Sequence, residues 1–209
     1  VIEAYTPLPG VPADKLPKVL QLFNKMATEI CEGQQYDVDF ESQEHVTIEE
    51  YLKMIRLKTS VLLANALQTG AYIAGADDQA QETMYQFGIN IGLAFQIQDD
   101  ILDVWGDPKT FGKAVGGDIS CNKKTFVYLE AMRRGGERLE EWYSQVLEDN
   151  TEKIAAVKEI FEQLEVRAVC EKVVEDYTQK ALALLDQLPQ NEATEQLRQL
   201  ANKLTTRKD

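Results

Sequence analysis

Histidine, cysteine and basic residues are scarce in this chain, and each scarcity closes off chemistry. His45 is the only histidine among 209 residues, which removes most zinc sites, Cys/His dyads and Ser/His/Asp triads. Three cysteines, Cys31, Cys121 and Cys170, lie far apart without a C-x-x-C pair. An odd number of dispersed thiols fits reduced cysteines in the cytoplasm. Lysine and arginine total 22 against 35 acidic residues, a net charge of -13, which argues against a nucleic-acid-binding surface. No apolar run reaches the roughly 18 residues of a membrane-spanning helix. The N-terminus has no basic segment followed by an apolar stretch, so no signal peptide is expected. The chain opens on Val1 rather than Met, which points to a start further upstream. Any chemistry here must run on carboxylates and lysines, with or without a metal.

What is present reads as helix nearly throughout. Hydrophobic residues make up 44% of the chain, enough for a substantial core. Residues 1–16, with Pro7, Pro9 and Pro12, read as a loop. A first helix is expected from about Pro17 to Tyr36, so that residues 33–39 form its terminus and a turn. Thr47-Ile48-Glu49-Glu50 is a capping box, opening a second helix that runs to about Gly75. A third spans about Gln79 to Trp105, and the four-residue spacing of Gly88 and Gly92 suggests another backbone close by. Glycines 106, 112, 116 and 117 mark a loop over 106–122. Helix resumes near Lys123 and stops at Arg133-Arg134-Gly135-Gly136. Thr151 can cap a long helix to about Leu188, and Asn191 a last one. No strand alternation or internal repeat is visible. Residues 1–209 therefore read as a single all-α domain, a helical bundle of mostly antiparallel neighbours.

One stretch carries most of the chemical information: Phe95-Gln96-Ile97-Gln98-Asp99-Asp100-Ile101-Leu102-Asp103. On a helix, Gln96, Asp99, Asp100 and Asp103 form one polar stripe without a basic residue. The acids repel each other, and the helix end at Gly106 disfavours anions further. A hard divalent cation removes both problems, and Mg²⁺ binds through one or two carboxylates plus substrate phosphates. Spacing alone leaves a second reading open, because Ile97, Ile101 and Val104 make the helix amphipathic and the acids can face water. An EF-hand fails, since its third and sixth positions would be Ile101 and Val104. Lys109, Lys113, Lys123 and Lys124 follow the acids and suit an anionic ligand, or surface ion pairs of little value. Thr59 in the middle of a helix needs no more than a bond to its own backbone.

Taken together, these segments resemble the trans-type isoprenyl diphosphate synthases. The acidic stretch is similar to that family's second aspartate-rich motif. It is followed, as in the family, by Gly106-Asp107, Gly112-Lys113, Gly117-Asp118 and Lys123. Lys58-Thr59 matches the upstream Lys-Thr pair, and Gly33-Gln34 with Asp37 matches the Gly-Gln-x-x-Asp segment. The family's first Asp-Asp-x-x-Asp motif and its paired arginines have no counterpart here; Asp77-Asp78 lies in a turn with no third acid at the right spacing. The chain therefore reads as the C-terminal portion of an isoprenoid-synthase-type helical bundle lacking its N-terminal helices.

The resemblance implies a cytoplasmic, Mg²⁺-dependent prenyltransferase, usually a homodimer. It would condense isopentenyl diphosphate with an allylic diphosphate to a short or medium product such as farnesyl or geranylgeranyl diphosphate. In the family, Mg²⁺ ions between two facing aspartate motifs hold the allylic diphosphate. Its carbon–oxygen bond ionises, isopentenyl diphosphate attacks the cation, and the released diphosphate can take the proton. Carried over, Asp99 and Asp100 face the metal and Asp103 acts through water. Lys58, Lys113 and Lys123 contact the diphosphate, Thr59 and Gln96 line the reacting end, and Gln34 and Asp37 lie near the metal-bound diphosphate. The alternative is a non-catalytic helical subunit of a heteromeric prenyl synthase.

Overall fold

A computed structural model describes residues 11–107, 115–145 and 147–205. Among these residues all regular structure is helical, and no helix is long and apolar enough to cross a membrane. A 3₁₀ turn at Ala13–Lys15 leads into α1 (Leu16–Ser42). Then come α2 (Ile48–Ile55), a π-helical segment (Arg56–Ser60) and α3 (Val61–Ala74). The fourth helix, α4, is Asp78–Trp105. It is followed by α5 (Gly117–Ser120), α6 (Phe126–Arg133) and α7 (Arg138–Tyr143). The chain ends in α8 (Thr151–Gln163), α9 (Val166–Leu185) and α10 (Glu192–Thr205).

Helix α4 is the axis of the fold. Its buried residues, among them Phe87, Ile89, Ile91, Leu93, Ile97, Ile101 and Val104, point to every side. An all-round apolar helix must be central, and α4 packs most extensively against α9 and α3. The main core gathers α1, α2, α4, α6, α8 and α9 around residues such as Met54, Ile97, Val127 and Phe161. A smaller cluster, Phe87, Ile91, Ala181, Leu185 and Ala201, seats α10 on the far end of α4 and α9.

Several ends match the sequence. Thr47 and Glu50 form the reciprocal capping box, Gly75 closes α3 with φ +86°, and Asn191 accepts from the amides of Ala193 and Thr194 at 3.0 and 3.1 Å. Asp77 accepts from the Ala80 amide at 2.8 Å as the cap of α4, the turn expected there.

Other expectations are corrected. Helix α1 runs to Ser42, so Gly33 to Asp39 are helix interior rather than a terminus. Gly33 is there for space: a Cβ on it would lie 2.3 Å from the Lys58 nitrogen. The second helix is interrupted by the π segment that carries Lys58 and Thr59. The expected loop contains the one-turn α5, and α6 starts at Phe126 rather than near Lys123, with Thr125 as its cap. Helix α7 is additional. The long C-terminal helix is two helices, broken at Glu165, whose φ of 52° is left-handed. Thr151 donates rather than caps: its amide and hydroxyl both bond Asp149 Oδ1, at 2.9 and 2.6 Å.

Glycines let the backbones of α4 and the second helix approach. A Cβ on Gly88 would lie 2.4 Å from Ala64 Cα, and one on Gly92 would lie 2.5 Å from Ser60 Cα. Gly92→Ala should therefore destabilise the chain by about 1–3 kcal/mol, the usual cost of overpacking. Gly70, with nothing within 4 Å of its added Cβ, is the control. Gly70→Ala should gain about 0.5–1 kcal/mol from helix propensity. Urea unfolding of both variants checks the pair; a stabilised Gly92→Ala would show that the close approach is not needed.

Candidate active site

The polar groups singled out in the sequence meet in one cleft of about 680 Å³. It is lined by Asp37 of α1, Lys58 of the π segment, Gln96, Asp99, Asp100 and Asp103 of α4, and Asp118, Lys123 and Lys124 of the α5–α6 region. A larger hollow of about 1010 Å³ lies beside the α1–α2 connection around residues 41–49. It shares Glu41 and Lys124 with the cleft but holds none of the motif aspartates, so chemistry rather than size identifies the site.

Two flanking helices grip the π segment. Gly33 admits its backbone, and one turn later Asp37 accepts a 2.6 Å bond from Lys58 Nζ. On the other side Gly92 admits Ser60, and one turn later Gln96 Oε1 accepts from Thr59 Oγ1 at 3.2 Å. A π turn widens the helix and shifts side-chain register locally. Here it presents Lys58 and Thr59, adjacent in sequence, to partners on two different helices.

The three acids of the α4 motif are held in three ways. Asp99 is half-buried and lines the cleft. Asp100 is 3% exposed. Its Oδ2 accepts a short bond from the Tyr51 hydroxyl and a 3.0 Å bond from the Phe126 amide, while Gln96 Nε2 lies 3.4 Å from Oδ1. The expectation that Asp100 faces a metal alongside Asp99 thus meets a carboxylate already surrounded by protein donors. Asp103 Oδ2 accepts from the Asp118 amide at 3.0 Å, and its backbone carbonyl accepts from the Gly116 amide at 2.6 Å. Asp103 therefore anchors the start of α5 as well as facing the cleft.

Lys123 pairs with Asp118 at 3.1 Å, and Lys124 Nζ donates to the Phe40 carbonyl at 2.9 Å. Gln34 is exposed and is not among the residues lining the cleft. Lys113, with Lys109 and Gly112, lies outside the described residues. Two participants were not singled out from sequence as site residues. Asp118 was visible only as part of the Gly117-Asp118 pair. Tyr51 lies seven residues before Lys58, two helical turns on the same side, a spacing that could have flagged it.

The donor set suits a hard cation. The aspartates on the cleft supply oxygen donors and no histidine lines it, the one thiol there being that of Cys121, outside the motif. Among the described residues no three acids converge into a ready-made cage. That fits Mg²⁺, which takes one or two carboxylates and completes its shell with water and phosphate. Burial pushes the Asp103 carboxyl up to about 6, with the charges of Asp118 and Asp99 adding to it. Burial likewise lifts Asp100 to about 7, against the hydrogen bonds from Tyr51, Phe126 and Gln96.

The fold is thus all-α, with a carboxylate- and lysine-lined cleft at the end of a central helix. Comparison with known proteins gives the family. A sequence model described as polyprenyl synthetase matches residues 2–164, and the chain belongs to that family. It is 37% identical over 198 residues to the geranylfarnesyl diphosphate synthase of Natronomonas pharaonis, covering 95% of this chain and 57% of that protein. It is 39% identical over 150 residues to the short chain isoprenyl diphosphate synthase of Methanocaldococcus jannaschii, covering 72% and 46%. Among solved structures, a geranylgeranyl pyrophosphate synthase superimposes with a TM-score of 0.89 at 45% identity, over 95% of this chain and 63% of that one. The geranylgeranyl pyrophosphate synthase of Corynebacterium glutamicum, complexed with isoprenyl diphosphate and magnesium, gives 0.85 at 30% identity, over 94% and 57%. The chain thus spans about half the length of the relatives it matches.

The raised carboxyls predict a pH signature. Asp100 carries a folded value near 7 against an ordinary 3.8, so the folded chain holds the proton more tightly than the unfolded one. Ligand-free stability from this group is greatest below about pH 4 and declines as pH rises to about 7. Urea unfolding of the parent and of Asp100→Asn across that window should show a difference that shrinks or reverses with rising pH. A constant difference would mean that Asp100 titrates like an exposed aspartate.

Proposed function

We propose that this chain carries the diphosphate and divalent-metal site of a trans-prenyltransferase that joins isopentenyl diphosphate to an allylic diphosphate. The observation that carries the reading is the convergence of Asp37, Lys58, Asp99, Asp103, Asp118 and Lys123 on one cleft from four separate segments. The names of the relatives, and the magnesium and isoprenyl diphosphate bound by one structural neighbour, support it. Short or medium products, a homodimeric assembly and a cytoplasmic location belong to the same reading.

Asp99, with Asp103 one turn further on α4, would hold Mg²⁺, and Asp37 on the same cleft would join as a carboxylate from α1. When bound, Mg²⁺ neutralises the departing diphosphate as a Lewis acid and template. Asp100 belongs to the same acidic face but serves from inside, through the donors that surround it. Lys58 and Lys123 would turn their ammonium groups to the diphosphate oxygens, where negative charge grows as the carbon–oxygen bond breaks; Lys113 joins them by the family motif alone.

Both described lysines are already paired, to Asp37 and Asp118. A metal-bound diphosphate supplies what each pair needs for exchange: an anion for the lysine and a cation for the carboxylate. Partly exposed ion pairs are worth at most about 1 kcal/mol, so the exchange has a low cost. Thr59 and Gln96, bonded to each other, place oxygen dipoles beside the reacting end. Attack by the isopentenyl double bond leaves a proton on the adjacent carbon, and the released diphosphate can accept it without a histidine.

Product chromatography from labelled isopentenyl diphosphate, allylic primers and Mg²⁺ tests the reading directly. A prenyl diphosphate that disappears in Asp99→Ala supports it; no product from this chain would mark a catalytically incomplete portion, and the same test on a longer parent then separates a partial enzyme from a non-catalytic helical subunit. Binding of Mg²⁺–pyrophosphate by calorimetry adds a second test. Asp99→Ala and Lys58→Ala should each weaken it roughly tenfold or more, the scale of a charge-assisted contact, with little change in unfolding midpoint. Unchanged affinity in either variant removes that residue from the site.

A further inference from the structure

The α5–α6 region that brings Asp118, Lys123 and Lys124 to the cleft is held from beneath by two adjacent residues of α8. Two residues bracketing α5 have left-handed backbone: Gly116 with φ +86° and Asn122 with φ +56°. Ile154 covers the first, where a Cβ would lie 2.8 Å from Ile154 Cγ2. Lys153 holds the second. Its Nζ donates a short bond to Asn122 Oδ1 and a 3.2 Å bond to the Gln145 carbonyl. Asn122 Nδ2 reaches the same carbonyl at 3.4 Å, and the Tyr143 ring lies 5.5 Å from the ammonium.

Lys153 is fully buried, and among the described residues it forms no ion pair. Burial lowers its pKa from the ordinary lysine value. A buried ammonium held only by neutral oxygens is costly, and a neutral apolar residue would fill the same space without that penalty. One of its two bonds ends on Asn122, in the turn immediately before Lys123, and the other on the Gln145 carbonyl, which Asn122 Nδ2 also reaches.

We propose that Lys153 is a positioning residue for the diphosphate site: through Asn122 it fixes the turn that aims Lys123 at the cleft. The inference rests on the reading of Lys123 as a diphosphate contact. Removing the ammonium leaves Asn122 without its donor and lets the turn relax, although Lys153 itself never touches the ligand. Asparagine tolerates the left-handed conformation better than most residues, so what Lys153 adds is the fixed direction of the Asn122 side chain.

A double-mutant cycle on the full chain decides the matter, with Mg²⁺–pyrophosphate binding read by calorimetry and unfolding midpoints measured in parallel. Lys153→Met keeps the length of the side chain and removes its donors. It should weaken binding about tenfold in the parent and by less than about threefold in a Lys123→Ala background, the non-additivity expected of coupled neighbours. Asn122→Gly tests the tie from its other end, since glycine adopts the left-handed conformation freely but offers no side chain. It should reproduce the same pattern, and it decides the question alone if Lys153→Met does not fold.

Parent-like binding in Lys153→Met or, failing that variant, in Asn122→Gly overturns the proposal. So does an equal loss with and without Lys123, which would mark Lys153 as a general support of the fold. A parent chain that does not bind Mg²⁺–pyrophosphate at all overturns the functional reading itself, and this inference with it. Binding by the parent without coupling overturns this inference alone.

Discussion

The structure depends on how closely two helices, α1 and α4, can approach the π segment at Arg56–Ser60. On the α1 side the contact is made at Gly33, and on the α4 side at Gly92, with Gly88 continuing it one turn further along. Each flanking helix then repeats the same spacing. A glycine admits the backbone, and the residue four positions on grips a side chain: Asp37 on Lys58, Gln96 on Thr59. Packing and chemistry are therefore one constraint. A helix that stood off by even a methyl group would lose both the van der Waals contact and the polar partner one turn above it.

The same economy governs the acidic motif. On a bare helix three acids within five residues are a source of repulsion. In the folded chain they are separated by environment instead: Asp99 on the cleft, Asp100 inside the bundle, Asp103 at the start of α5. Asp100 joins α4 to α2 through Tyr51 and to the first turn of α6 through the Phe126 amide. A helix N-terminus is a favourable place for a carboxylate, which eases an otherwise expensive burial. The motif is thus at once a ligand surface and a structural joint, and substitutions within it will not have equivalent effects.

Much of this was legible in the sequence because it is local. Helix periodicity, the capping box at Thr47, the Asn191 cap and the stop at Gly75 are all written within a few residues. The ordered motifs located the polar side of the site, including Asp37, Lys58, Gln96, Asp99, Asp103 and Lys123. What escaped is long-range. Gly33 reads as a helix stop until the π segment that fills its space is known. A five-residue π turn leaves no mark on a 3.6-residue hydrophobic pattern. The break at Glu165 occurs at a residue with no special preference for left-handed backbone. Asp100 and Asp99 look alike in sequence, and only the position of Tyr51 and Phe126 separates them. Gln34 shares a motif with Asp37, yet it faces outward.

The charge balance of the cleft bears on how an acidic protein would serve the anionic ligand proposed for it. The aspartates around it outnumber Lys58, Lys123 and Lys124, and two of those lysines are already neutralised by Asp37 and Asp118. A diphosphate arriving alone would add negative charge to a surface that is negative already, in a chain carrying -13 overall. Lysines sufficient to bind it unaided would collapse onto the carboxylates and stay there. Divalent cations reverse the sign of the problem: they satisfy the carboxylates, release the lysines and leave the anion the common partner of both. On the proposed function, metal dependence would be a consequence of electrostatics distributed over four segments, rather than of any one chelating residue. It would make occupancy of the site cooperative between cation and anion, because neither alone relieves the repulsion that the other leaves behind.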